Sequence, residues 1–198
     1  MTTAARPYHH GNLREALLLA GERALETGGA QSLSLRELAR EVGVSHAAPR
    51  RHFADKQALL DALALAGFER LGTVLATAID DAGPDFQARL RAIAHAYVGF
   101  ATEHAALVEL MFASKHQAGA PPELNVAGEL AFAPALAAVA DGQASGDVVP
   151  GDPKRVAIAA FAVIHGLVAL GNNLMLDEPL DDLLEDALER LQLGLRPR

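Results

Sequence analysis

The chain has 198 residues, 51% of them apolar but only 5% aromatic, and a net charge of −8 at pH 7. It contains no cysteine, which excludes a disulfide framework and a thiolate metal site and suits a reducing compartment. The length allows one small domain and one larger one, and the richness in alanine and leucine favours packed helices over sheets.

No apolar run follows a basic segment at the N-terminus, so no signal peptide is expected and a cytoplasmic location is inferred. A first helix is expected from about Gly11 to Glu26, stopped by Gly28-Gly29, with Leu13, Leu17, Ala20, Ala24 and Leu25 facing inward. The most informative stretch follows: Ser34 to Lys56, SLRELAREVGVSHAAPRRHFADK. Ser34 and Glu37 have capping-box spacing. Leu35, Leu38, Ala39 and Val42 make one apolar face, and Gly43 stands where the helix must stop. Ser45 then caps a second helix, His46 to Phe53, in which Pro49 falls within the first turn. Two helices joined by a tight glycine turn spell a helix-turn-helix, whose second helix enters the DNA major groove. Small Ala47 and Ala48 let the backbone approach a groove, Arg50 and Arg51 reach phosphates or guanine edges, and Phe53 anchors the segment. Asp55 caps a further helix, where Lys56 and the helix N-terminus form a phosphate clamp.

The run VSHAAPRRHFADKQALL, with Ser34, Glu37, Ala39 and Gly43 before it, resembles the DNA-binding domain of the TetR family of transcriptional repressors over about residues 8 to 63. On that resemblance, Ser34, Ser45, His46, Ala47, Arg50, Arg51, His52 and Lys56 would touch DNA. Pro49 replaces the family's usual leucine. Arg50 replaces the usual phosphate-contacting tyrosine, so it either keeps that contact as a charge or turns toward a base. The charge distribution agrees. Residues 1–60 carry eight Lys/Arg against six Asp/Glu, whereas the remainder carries nine against 19. The basic part coincides with the motif, and the acidic part opposes non-specific adhesion to DNA.

Beyond the motif, one helix follows another. A long one is expected from Asp55 to about Asp80, marked by Leu60, Leu63, Leu71, Val74 and Ala78, with Gly67 and Gly72 inside it. Pro84 opens another, to about Glu103, and a shorter one runs to about Ser114. The loop from His116 to Pro122 precedes a helix to Asp141, interrupted or bent at Pro134. Asp141 to Asp152 is a second loop. Val156 to Leu176 has no Asp, Glu, Lys or Arg in 21 residues. A bilayer span has that length, but His165, Asn172 and Asn173 favour a helix buried on all sides. In the last helix, Leu180, Leu183, Leu184, Ala187, Leu188 and Leu191 form an unbroken stripe. The expected architecture is all-α: an N-terminal three-helix domain (1–60) joined to a C-terminal bundle of about six helices (61–198).

The resemblance implies that the last two helices pair two chains, with Ile164, Leu167, Leu184, Leu188 and Leu191 at the interface; ordinary core packing is the alternative for each. It also implies a ligand pocket in the middle helices. Candidates are His95, Phe100, Met111, Phe112, Phe132, Phe161, His165 and Asn172, with Tyr97 and His116 nearby in sequence. His165 and Asn172 are two turns apart, so they project to nearly one side, where Phe161 extends the row and Met111 and Phe112 close it. No metal, cofactor or catalytic motif is expected: the eight histidines include no helical HxxxH pair, and His9-His10 are placed by DNA or solvent. The expectation is a homodimeric regulator, most readily a repressor of a palindromic double-stranded operator, released by a small, mainly apolar effector, with no membrane partner. A helical carrier or enzyme, and a ligand-independent DNA binder, remain the alternatives.

Overall fold

The computed structural model describes residues 13–196. Among them are eight α-helices, one 3-10 helix and no strand. His9, His10 and the start expected for the first helix at Gly11 lie outside the described residues.

Helix α1 (Leu13–Ser32) buries Leu17, Ala20 and Leu25, and is kinked at Gly29. Helix α2 (Leu35–Glu41) buries Leu38 and Ala39 against it. Ser34 occupies the N-cap position with extended backbone, but its side chain makes no capping bond, so the expected capping box is not formed. The C-terminal stop is as expected. Gly43 takes φ 74°. Its N–H donates to the Arg40 carbonyl (3.3 Å) and the Val44 N–H to the Ala39 carbonyl (2.9 Å), a Schellman closure that needs the left-handed residue.

The second helix of the motif is shorter than its sequence suggests. After a turn at His46 and Ala47, only Pro49–Arg51 is helical, and as 3-10. Pro49 has no N–H to return to the Ser45 carbonyl, which accepts from Ala48 instead (2.9 Å). Pro49 is itself buried, and Phe53 is 2% exposed beneath the turn. Arg14 of α1 lies 5.7 Å from the Phe53 ring centroid, tying the turn to the first helix.

Helix α3 (Lys56–Ala82) starts at Asp55, whose carboxylate accepts from the Ala58 N–H (2.9 Å). It runs unbroken across residues 60 and 61, so the domain boundary expected there falls inside a helix. Its inner stripe is Leu59, Leu63, Gly67, Leu71, Leu75 and Ile79. Val74 and Ala78, expected on that stripe, lie one position away and are half-buried. Around α3 pack α4 (Phe86–Glu103), α5 (Ala105–His116) and α6 (Pro122–Ser145). A Cβ at Gly72 would stand 3.2 Å from the Ala131 Cα, so glycine allows the α3–α6 backbones their close crossing. Helix α6 runs on through Pro134 without interruption, past Asp141, to Gly146. Helices α7 (Pro153–Asn172) and α8 (Leu180–Leu195) close the bundle.

Two expectations for these last helices fail in the single chain. Helix α7 is not buried on all sides: Ile158, Val163 and Leu170 are 40–49% exposed. By length and composition α3, α6 and α7 are each apolar enough to cross a membrane, yet each packs laterally against other helices of the bundle. The stripe of α8 faces the chain's own α4 and α7, leaving Leu184 and Leu188 at 0% exposure.

Candidate functional site

Three regions carry the features singled out in the sequence. The first is the turn after α2. His46, Ala47, Arg50, Arg51 and His52 are exposed there side by side, with Ser45 at the edge. Among the described residues neither Arg50 nor Arg51 forms an ion pair, so both guanidinium groups are available to an anion. Ser34 is half-buried at the start of α2. Lys56 has a structural tie that the sequence did not reveal: its Nζ donates to the Gln31 carbonyl at 2.9 Å, pinning the end of α1 to the start of α3. An ammonium has three donors, so two remain for a phosphate. Ala48 is half-buried.

The second region is a cavity of about 270 Å³ between α3, α4, α5, α6 and α7. Of the expected lining residues, Phe112, Phe132 and Phe161 are there. The others are elsewhere. His95 is on the outside, its Nε2 2.7 Å from Glu185, which also pairs with Arg91. Phe100 packs on His104 and under the Arg70 guanidinium (5.3 Å). Met111 is 0% exposed against Gly67, because adjacent helical residues point about 100° apart and only Phe112 turns inward. Asn172 is exposed at the end of α7, donating to the Ala101 carbonyl (3.3 Å). His165 stands just behind the wall: it stacks on Phe161 (5.3 Å) and its Nδ1 is 2.6 Å from the hydroxyl of Tyr97, which lines the cavity. Burial pushes the Tyr97 phenol well above its ordinary value and lowers His165, favouring the neutral form of each.

The sequence reasoning missed Phe68, Phe86, Lys115 and Lys154 in this wall. Lys154 reads only as the flank of an apolar run and Lys115 as the end of a short helix. Nothing in spacing announces that two such distant residues share a cavity.

The third region is the outer face of α7. Ala159, Ala162 and Ala169 are exposed beside Val163 and Leu170, and a Cβ at Gly166 would meet open space. Leu184 and Leu188, by contrast, are 0% exposed within the chain. Ile164 is likewise buried within the chain, at 4%, while Leu167 and Leu191 are half-buried against the chain's own core.

Two acidic residues of α1 tie that helix to α3 and α5. The Glu22 carboxylate of α1 receives both terminal nitrogens of Arg70 on α3 (2.7 and 3.2 Å). Glu26, one turn on, accepts from the backbone N–H groups of Ala106 and Leu107 at the start of α5 (3.4 and 3.3 Å).

Comparison with known proteins agrees with this layout. The family model for bacterial regulatory proteins of the tetR family matches residues 17–63, and the model for the tetracyclin repressor-like C-terminal domain matches residues 90–191. A protein of unknown function from Rhodococcus sp. RHA1 is 46% identical, with 98% of this chain and 100% of that one aligned at a TM-score of 0.91. A TetR family transcription regulator from Marinobacter aquaeolei VT8 is 26% identical over 93% of this chain and 96% of its own, at 0.71. The fatty acid degradation regulator FadR from Bacillus halodurans shares the fold at 0.74, with 14% identity over 98% of this chain and 100% of its own. No curated protein matches the chain.

Proposed function

This chain belongs to the TetR family of bacterial regulatory proteins, and we propose that it is a homodimeric repressor released from a palindromic operator when a small, mainly apolar effector fills its cavity. It is a DNA-binding transcriptional regulator. A single helix supports the finer reading. Helix α3 begins at Lys56, beside the exposed arginines, and supplies Phe68, Leu71 and Leu75 to the cavity wall. Its 27 residues make a rod of about 40 Å with no break. A molecule that pushes on the wall therefore pushes on the rod that sets the position of the reading turn, and Glu22–Arg70 and Glu26 carry α1 along.

Pairing two chains through the α7 face places two reading turns on a two-fold axis, the symmetry of a palindrome. Alanine and glycine on that face let two helices approach closely. Effector binding then favours one spacing of the reading turns over another, a shift between two dimer populations. Ser34, Ser45, His46, Ala47, Arg50, Arg51, His52 and Lys56 remain the proposed DNA contacts.

The test is fluorescence anisotropy of labelled DNA from the chain's own promoter region, at two salt concentrations, with the wild type and with Ala135→Trp. Ala135 lines the cavity from α6, so the indole mimics an occupant. Salt-dependent binding by the wild type and weakened binding by a variant that keeps its helicity are expected. Full operator affinity in a folded variant would sink the coupling between cavity and DNA, and absence of any DNA binding would favour a carrier or enzyme.

A further inference from the structure

The cavity concentrates two kinds of side chain that are scarce in the chain as a whole. Of seven phenylalanines and two tyrosines in the sequence, Phe68, Phe86, Tyr97, Phe112, Phe132 and Phe161 line this one space. Their rings meet edge to face, Tyr97 on Phe161 at 5.2 Å and Phe132 on Phe161 at 5.8 Å. Into the same space project Lys115, at the end of α5, and Lys154, in the first turn of α7.

Neither lysine is spent. Among the described residues, neither ammonium forms an ion pair within 4.0 Å. Lys115 is half-buried, its Nζ 5.9 Å from the Phe68 ring centroid. A half-buried cation that rests on an aromatic ring and forms no ion pair is still able to take an anion as a partner. Glu129, exposed on α6, is the one acidic residue of the wall, so the lining carries a net charge of one positive unit. The other polar group is committed elsewhere: the Tyr97 hydroxyl lies 2.6 Å from His165 Nδ1. The lysines are thus the donors left for a ligand.

We propose that this cavity recognises an aromatic organic acid, its planar body among the phenylalanine rings and its carboxylate held by Lys115 and Lys154. The proposal rests on reading the cavity as the effector site and names the chemistry of the effector. The volume of about 270 Å³ suits a body of one or two fused rings and not a large drug-like molecule. The rings supply edge-to-face contacts to an aromatic body, and a carboxylate on the ammonium groups makes charge-assisted hydrogen bonds at the edge of an apolar wall.

The experiment is calorimetric titration of the full chain, without DNA, with three probes of one shape: naphthalene-2-carboxylate, 2-naphthalenemethanol and 2-naphthylmethylammonium. The carboxylate is expected to bind at least tenfold more tightly than the alcohol, and the ammonium least well. Lys115→Met keeps the apolar stem; it should bring the carboxylate close to the level of the alcohol while the affinity for the alcohol stays unchanged. Lys154→Gln should act in the same direction, more weakly, because Lys154 is exposed. Equal affinity for carboxylate and alcohol in the wild type overturns the proposal. So does a preference that survives in the Lys115→Met/Lys154→Gln double variant, or failure of every probe to bind. Operator release is read separately by anisotropy. A carboxylate that binds through the lysines yet leaves operator affinity untouched would end the effector reading and leave the acid site standing.

Discussion

The Tyr97 hydroxyl lies 2.6 Å from Nδ1 of His165, joining α4 to α7 at the cavity wall. With both groups desolvated, the stable arrangement has Tyr97 donating and a neutral His165 accepting, its own proton on Nε2. Protonating His165 would destroy the acceptor and place a charge among Phe112, Phe161 and Tyr97.

The sign of the resulting pH dependence follows. His165 has a folded-state pKa below its ordinary value of 6.5, so the unfolded chain binds the proton first as pH falls. Its contribution to stability is complete above about 6.5 and is lost on acidification below that value. His165→Gln keeps an acceptor for Tyr97 without a titrating group. Thermal melting between pH 7.5 and 5 is expected to fall less steeply for this variant than for the wild type. Parallel curves would show that His165 does not titrate differently on folding.

For DNA, Arg51→Ala and Lys56→Ala should each weaken binding to every sequence and reduce the salt slope by about one unit for each phosphate left unneutralised. The two differ in stability. Lys56→Ala also cuts the tie to the Gln31 carbonyl and should lower the melting temperature, whereas Arg51 is exposed and its removal should not. Wild-type affinity and slope in either variant would show that the residue does not bind a phosphate.

For assembly, core and interface separate cleanly. Leu188→Ala empties a site at 0% exposure inside the chain and should cost about 2–5 kcal/mol of stability. Ala162→Asp instead places a charge on the exposed face of α7 and should yield a helical monomer without operator binding. Sedimentation and circular dichroism together decide this; a folded Ala162→Asp dimer would put the interface elsewhere.

For coupling, Arg70→Met leaves the Glu22 carboxylate without its bidentate partner. The pair is partly exposed, with side chains at 40% and 21%, so the expected loss is modest, on the order of 1 kcal/mol. Effector titration of operator binding should nonetheless shift, since the middle of α1 loses its ion pair to α3 and only the Lys56–Gln31 tie at its end and the packing remain. An unchanged effector response together with the expected stability loss would confine the pair to a structural role.

Much of the fold was legible because its signals are local. Gly43 stops α2, Asp55 and Asp85 cap α3 and α4 through the Ala58 and Ala88 N–H groups, and the leucines of α8 repeat at helical spacing whatever lies around them. The reading turn was less so. Pro49 was visible, but its effect depends on the Ser45 carbonyl finding another donor in Ala48, and the segment closes as a 3-10 turn.

Which neighbour covers each apolar stripe was decided by tertiary structure alone. Periodicity states that Leu184, Leu188 and Ile164 must be buried; it does not say whether by the chain's own α4 and α7 or by a second chain, and here the chain itself covers them. The same indeterminacy scattered the expected pocket. Helical spacing aligned His165 with Asn172, but Asn172 lies at the helix end, where it is exposed and reaches the Ala101 carbonyl. Lys115 and Lys154, 39 positions apart, share a wall only because α5 and α7 are brought to one cavity by packing around α3 and α6. A one-dimensional pattern encodes which face of a helix is apolar; which faces meet depends on crossings such as that of Gly72 on Ala131, and those are set in three dimensions.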